Sequence, residues 1–226
     1  MQNAIVNAEQ AINRANLLTG LRAISETPTA VSASLTGDVT PYLGEENEGK
    51  AIWRVTYPNS ALVLPSAQAG YVDPYRRSFG VVLEASSGRL FFILSAAQDV
   101  VDPNMRPMPS SGAATAQLSS AREVYTGYAA DDPGINFLTA LDRILADGMG
   151  SPFRAKQIHA VYVMHSRRGS PRQPVWAVTL RGLPPLEARG AGGAGVPVWQ
   201  RNHMRNVVDA ITGKVLFATN TPQPEP

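Results

Sequence analysis

Two short patterns recur in this chain at nearly the same distance from each other. WRVT at Trp53–Thr56 is answered by WAVT at Trp176–Thr179, and VVLEASSGRLFF at Val81–Phe92 by VVDAITGKVLF at Val207–Phe217. Tryptophan and turn glycine are 35 residues apart in the first case and 37 in the second. A common spacing between two dispersed motifs points to internal duplication more strongly than either motif alone. Aligning Gly88 with Gly213 also pairs Glu84 with Asp209, Ala85 with Ala210, Arg89 with Lys214, Phe92 with Phe217 and Arg76 with Arg201.

The elements around these motifs repeat as well. Apolar residues at helical steps (Ile5, Ala8, Ile12, Ala15, Leu18) predict a helix over 3–25, with Gly20 and Pro28 at its end. Strands follow at 29–39 and 51–57, and a hairpin over 78–95 turns at Ser87-Gly88. Residues 96–133 are a linker by composition, with a short helix expected within 113–125. A second helix is expected at 135–148, with Asp131 or Asp132 as its N-cap before Pro133. Strands at 156–166 and 175–180 and a hairpin over 205–220 complete the order. The expected fold is α+β: two repeated units, each a helix packed on a curved antiparallel sheet, either packed pseudo-symmetrically or with their sheets joined edge to edge. Unit 1 takes residues 1–98, the linker 99–133, unit 2 residues 134–220, and a disordered tail 221–226.

Composition narrows the function classes. The chain of 226 residues is 44% apolar, enough for a packed core, and has no cysteine. Disulfides, thiolate nucleophiles and cysteine zinc sites are therefore excluded. Net charge is only +2, but residues 1–133 carry 9 basic and 13 acidic side chains, and 134–226 carry 11 and 5. Few aromatics interleave with the basic residues, so nucleic acid is not an expected partner. No apolar run reaches the roughly 18–20 residues of a membrane span. The first residues lack the features of a signal peptide, as would a chain whose export signal or membrane anchor had been lost.

The pattern W-x-V followed by D/E-A-x-S/T-G-K/R resembles the PepSY family, over residues 3–95 and 134–218. The resemblance implies small units with one helix on an antiparallel sheet, similar to the cystatin-like arrangement. It implies extracytoplasmic bacterial proteins, periplasmic or secreted, often linked to peptidases or membrane-anchored regulators, and no catalysis. Two departures stand out: the loops at 58–77 and 181–199 are long, and Ser86-Ser87 replaces x-Thr before the first turn glycine.

Trp53, Trp176, Gly88 and Gly213 read as scaffold residues: the indoles fill the space between helix and sheet and need an N–H partner, and the glycines supply the positive φ of a tight hairpin. Arg89 and Lys214 are expected to pair with Glu84 and Asp209. His159 and His165 alternate with Val161 and Val163 on one strand face. They lie about 20 Å apart at the usual strand rise, too far to share a metal. They and His203 read as isolated surface or edge histidines, and no metal or cofactor is expected. There is no G-x-S-x-G elbow and no H-E-x-x-H, and GAGGAG at 190–195 does not open a helix after a strand.

Candidate contact residues are Tyr71, Tyr75, Arg76 and Arg77 in the first long loop, Arg167, Arg168 and Arg172 in a basic turn, and Trp199, Arg201 and His203 in the second loop. Aromatics beside arginines are the composition of interface anchors. The leading expectation is a non-catalytic extracytoplasmic module that binds a protein, such as a peptidase it regulates. Two alternatives stay open: a structural subunit of an envelope or membrane-associated assembly, and a small-ligand binder or enzyme on a cystatin-like scaffold.

Overall fold

A computed structural model describes residues 5, 7–21, 29–34, 47, 49–60, 62–67, 73, 75–98, 123–129, 132–148, 151–167, 171–183 and 203–221. The fold is α+β. Among the described residues there are two α-helices, α1 (Ala8–Thr19) and α2 (Phe137–Ala146), and a 3-10 turn at Pro152–Arg154. Nine strands, β1 (Thr29–Ser34), β2 (Ala51–Ser60), β3 (Arg76–Glu84), β4 (Leu90–Gln98), β5 (Glu123–Tyr128), β6 (Gln157–Arg167), β7 (Gln173–Arg181), β8 (His203–Asp209) and β9 (Val215–Thr221), form one antiparallel sheet.

The spatial order is β1-β2-β3-β4-β6-β7-β8-β9. Two meanders of four strands are thus joined edge to edge through β4 and β6, with Ile93 opposite Ala160 and Leu94 opposite His159. β5 pairs with the far part of β6, from Val163 to Arg167. Residues 123–125, expected at the end of a short helix, belong to this strand; 113–122 lie outside the described residues. The expected tail at 221–226 lies outside them except for Thr221, which ends β9.

Both helices are shorter than their apolar periodicity suggested, because each has a defined cap. Asn7 and Asn136 accept from the amides of Gln10 and Thr139 at 2.9 Å. The N-cap of α2 is therefore Asn136, not Asp131 or Asp132; Asp132 is held in an ion pair with Arg14. α1 ends at Gly20, whose φ of 73° forms a left-handed cap. A Cβ on Gly20 would lie 2.8 Å from the Asn136 side chain, so the end of α1 packs against the start of α2.

Strand alternation gives the sheet two faces. Val55, Tyr57, Phe79, Val81, Trp176, Val178 and Val208 lie toward the helices, in a core that runs without a break from Ile5 to Ala210. Ile52, Val82, Phe92, Val161, Val163, Val175, Ala177 and Val207 form a second buried cluster on the opposite face. The sheet is curved: the ring centroids of His165 on β6 and Phe217 on β9 are 5.6 Å apart with two strands between them in the order.

Candidate binding surface

The two hairpins make the same hydrogen bonds. Gly88 N donates to Glu84 O at 2.8 Å and Gly213 N to Asp209 O at 2.9 Å. Glu84 N and Asp209 N donate to Arg89 O and Lys214 O, and Ala85 N and Ala210 N reach back to Ala51 O and Pro174 O. The glycine φ angles are 68° and 75°, in the left-handed region that a side chain disfavours. Each turn is tied to the residue ahead of its helix, as Ile5 N donates to Ala85 O and Ile135 N to Ala210 O. Each tryptophan closes the corner: Trp53 Nε1 donates to Ile5 O at 3.0 Å, and Trp176 Nε1 to Ile135 O at 2.9 Å.

The charges around the two turns differ. Arg89 and Lys50 lie 3.4 and 3.3 Å from Glu84, and the Ser87 hydroxyl donates to the same carboxylate. Burial works to raise the Glu84 pKa, but Ser87, Arg89 and Lys50 outweigh it and hold the carboxyl below its ordinary range. The Asp209 carboxylate instead accepts from the amides of Ile211 and Thr212 at 2.8 Å, as an Asx turn does.

Of the contact residues expected in the first loop, Arg77 is not at the surface. Its side chain is 0% exposed, Nε donates to Asp73 at 2.9 Å, and the other nitrogens reach the carbonyls of Pro152, Phe153 and Ala155. All these partners are within the chain, so Arg77 ties the first meander to the second. Tyr75 is half-buried with the Arg77 guanidinium 5.0 Å from its ring centre, and Arg76 is exposed at the start of β3. Arg172 is exposed, and Arg167 ends β6 opposite Glu123, its side chain lying outside the described residues. Tyr71, Arg168, Trp199 and Arg201 also lie outside them.

The histidines are not isolated surface groups. His159 and His165 are 8% and 3% exposed, on the helix-free face, beside Phe92 and Phe217. Burial, with the positive charges of Arg181 and Arg205, pushes the His159 pKa down to about 3. His203, half-buried at the start of β8, is also lowered, by burial and then by Arg181. The register explains the company: His159, Thr179 and Arg205 lie side by side on β6, β7 and β8, with Gln157, Arg181 and His203 in the next row of that face. The buried Nε of Arg205 has no hydrogen-bond partner.

Every carboxylate whose side chain is described is placed elsewhere. Asp73, Asp132 and Asp142 are held by Arg77, Arg14 and Ser66, and Glu84 by Lys50 and Arg89. Asp209 serves its own turn, and Glu9 and Asp147 belong to the first turn of α1 and the C-cap of α2. This basic cluster was not singled out from the sequence, which showed only a general surplus of arginine in the second half. No group of three or more potential metal ligands occurs among the described residues. Compared with protein families, curated proteins and solved structures, the chain matches none.

Proposed function

We propose that the chain is a tandem of two PepSY-like units and acts as a non-catalytic, extracytoplasmic module that binds a protein through the β9 end of its sheet. The duplicated corners support the tandem reading. The same tryptophan-to-carbonyl bond, glycine turn and helix-entry bond recur at matching motif positions. The binding reading is carried by β9. It pairs only with β8 among the described strands, and Val215, Leu216 and Phe217 along it are half-buried rather than covered. An edge of that kind accepts an extended segment of a partner, main chain for affinity and side-chain pockets for choice.

The partner on this reading is a peptidase under regulation or a subunit of an envelope assembly. Affinity capture from an envelope extract with crosslinking tests it. A specifically retained protein, crosslinked to 215–221, is the expected result. A stoichiometric set of envelope subunits on that edge would make the chain a structural component. No specific retention, or crosslinks that avoid β9, would overturn the reading.

A further inference from the structure

We propose that the second hairpin turn, with Arg143 over Gly213 and Lys214 next to it, receives carboxylates from an acidic segment of the protein partner. This names the partner's chemistry and rests on the reading of β9, which begins at Val215, as the docking edge.

The two turns carry the same arrangement of side chains. A Cβ on Gly88 would lie 3.5 Å from both Arg14 Nε and Ile5 Cδ1, and one on Gly213 would lie 3.3 Å from Arg143 Nε and 3.6 Å from Ile135 Cδ1. Arg14 follows the N-cap Asn7, and Arg143 the N-cap Asn136, by the same seven positions. A second basic residue comes directly after each glycine, Arg89 in one turn and Lys214 in the other.

The turns differ in their supply of carboxylate. In the first, both cations are paired within the chain. Arg14 donates from Nε to Gly88 O at 3.0 Å and from both terminal nitrogens to Asp132, and Arg89 lies 3.4 Å from Glu84. In the second, neither is. Asp209, the counterpart of Glu84, is taken by the amides of Ile211 and Thr212, and Asp142 by Ser66. The side chains of Arg143 and Lys214 are exposed and have no hydrogen-bond or ion-pair partner among the described residues, Asp147 included. The helix end does not account for Arg143. A cation in the last turn does meet the negative end of the helix dipole. Arg14, however, holds the same place over its glycine, and the last turn of α1 has no basic residue.

The first turn shows what the second is built to receive. An arginine fork takes both oxygens of one carboxylate, presented by an irregular stretch ahead of a helix. Beside the free cations Ile211 is 58% exposed. It lies two residues from Gly213, within about 7 Å along the chain, so an apolar contact adjoins the charged one. Residues 134–226 carry 11 basic and 5 acidic side chains, a surplus that favours an acidic partner.

The probe is a peptide with the sequence of residues 129–136, whose Asp132 makes the contact at the first turn, against a copy with both aspartates changed to asparagine. Titrated into 15N-labelled protein, the acidic peptide should shift the amides of 211–214 and the Arg143 Nε–H, less so as salt is raised, and the asparagine copy should not. Arg143→Gln combined with Lys214→Gln should weaken binding about 5-fold or more. R154Q combined with R172Q removes two other exposed charges and should leave binding unchanged. No shift, shifts that avoid the second turn, or equal weakening by the two double variants would overturn the proposal. Affinity capture separates it from the reading of β9. A partner that crosslinks to 215–221 and is retained equally by the Arg143 and Lys214 double variant leaves the edge standing and removes the acidic segment. If no partner is retained, the edge reading fails, and the peptide result shows whether the turn still takes carboxylates.

Discussion

The two meanders have the same strand order but carry different chemistry. On the helix-free face, Thr29–Thr56–Gly80–Leu94 continues directly into His159–Thr179–Arg205–Thr219. On the helix face, Ala30–Val55–Val81–Ile93 continues into Ala160–Val178–Asn206–Ala218. The first meander is neutral along both rows. The second carries two groups that are expensive to bury, a histidine and an asparagine. Residues common to both, the tryptophan and the turn glycine, hold the corner. Where the halves differ, something other than the corner explains the residue.

The largest difference to break is the tie between the halves. Arg77 and Asp73 are both fully buried, and Arg77 is the link from β3 to the carbonyls of Pro152, Phe153 and Ala155. Removing one partner of a buried pair leaves an uncompensated charge, at a cost of about 3–5 kcal/mol. Arg77→Ala should lower the unfolding free energy by that amount in urea titrations at pH 7. Arg77→Lys should recover little, since an ammonium cannot reach three carbonyls and a carboxylate as the fork does. A loss under about 1 kcal/mol for Arg77→Ala would show that the β4–β6 pairing and the shared apolar core hold the halves without the arginine.

Much of the corner was legible before any coordinates, because it is local. The turn glycines, the need of each indole for a partner and the Arg89–Glu84 pair all depend on residues within one helix-and-hairpin motif. The N-cap of α2 was misplaced because Asp131-Asp132-Pro133 has the composition of a cap, while Arg14, 118 positions away, takes Asp132 instead. Arg77 looked like a surface anchor for a similar reason. Its carbonyl partners lie 75 to 78 positions along the chain. The basic cluster needed the register of three strands, which composition does not contain. Alternation placed His159 among valines, but only the second apolar cluster shows that this face is buried too.

The second test uses pH to sharpen the contrast on the helix-free face. His159 ordinarily takes up a proton near 6.5, and in the folded chain only near 3. Between these values the unfolded chain binds more protons than the folded one, so stability falls as pH falls through this window. His203, also lowered, acts in the same direction. The slope for His159 is at most about 1.4 kcal/mol per pH unit, which is roughly 2 kcal/mol between pH 6.5 and 5. The His159→Phe variant should lose less stability than the wild type over that range, as judged by urea unfolding in a buffer without phosphate. Parallel losses would mean that His159 is already protonated in the folded chain.

The smallest effect tests the comparison on the helix face. Asn206 is fully buried, and neither its amide nitrogen nor its amide oxygen has a hydrogen-bond partner. Its counterpart in register, Val81, is equally buried and apolar. A buried amide without partners costs about 1–3 kcal/mol. Valine has close to the same volume and fits the strand, so Asn206→Val should raise the unfolding free energy by about 1 kcal/mol, part of the gain going to repacking. The reciprocal Val81→Asn should destabilise, since the same backbone position in the first meander has an apolar setting. If Asn206→Val destabilises instead, the amide has a partner, such as a buried water, in the folded protein in solution. The second meander would then differ from the first in its interior as well as on its charged face.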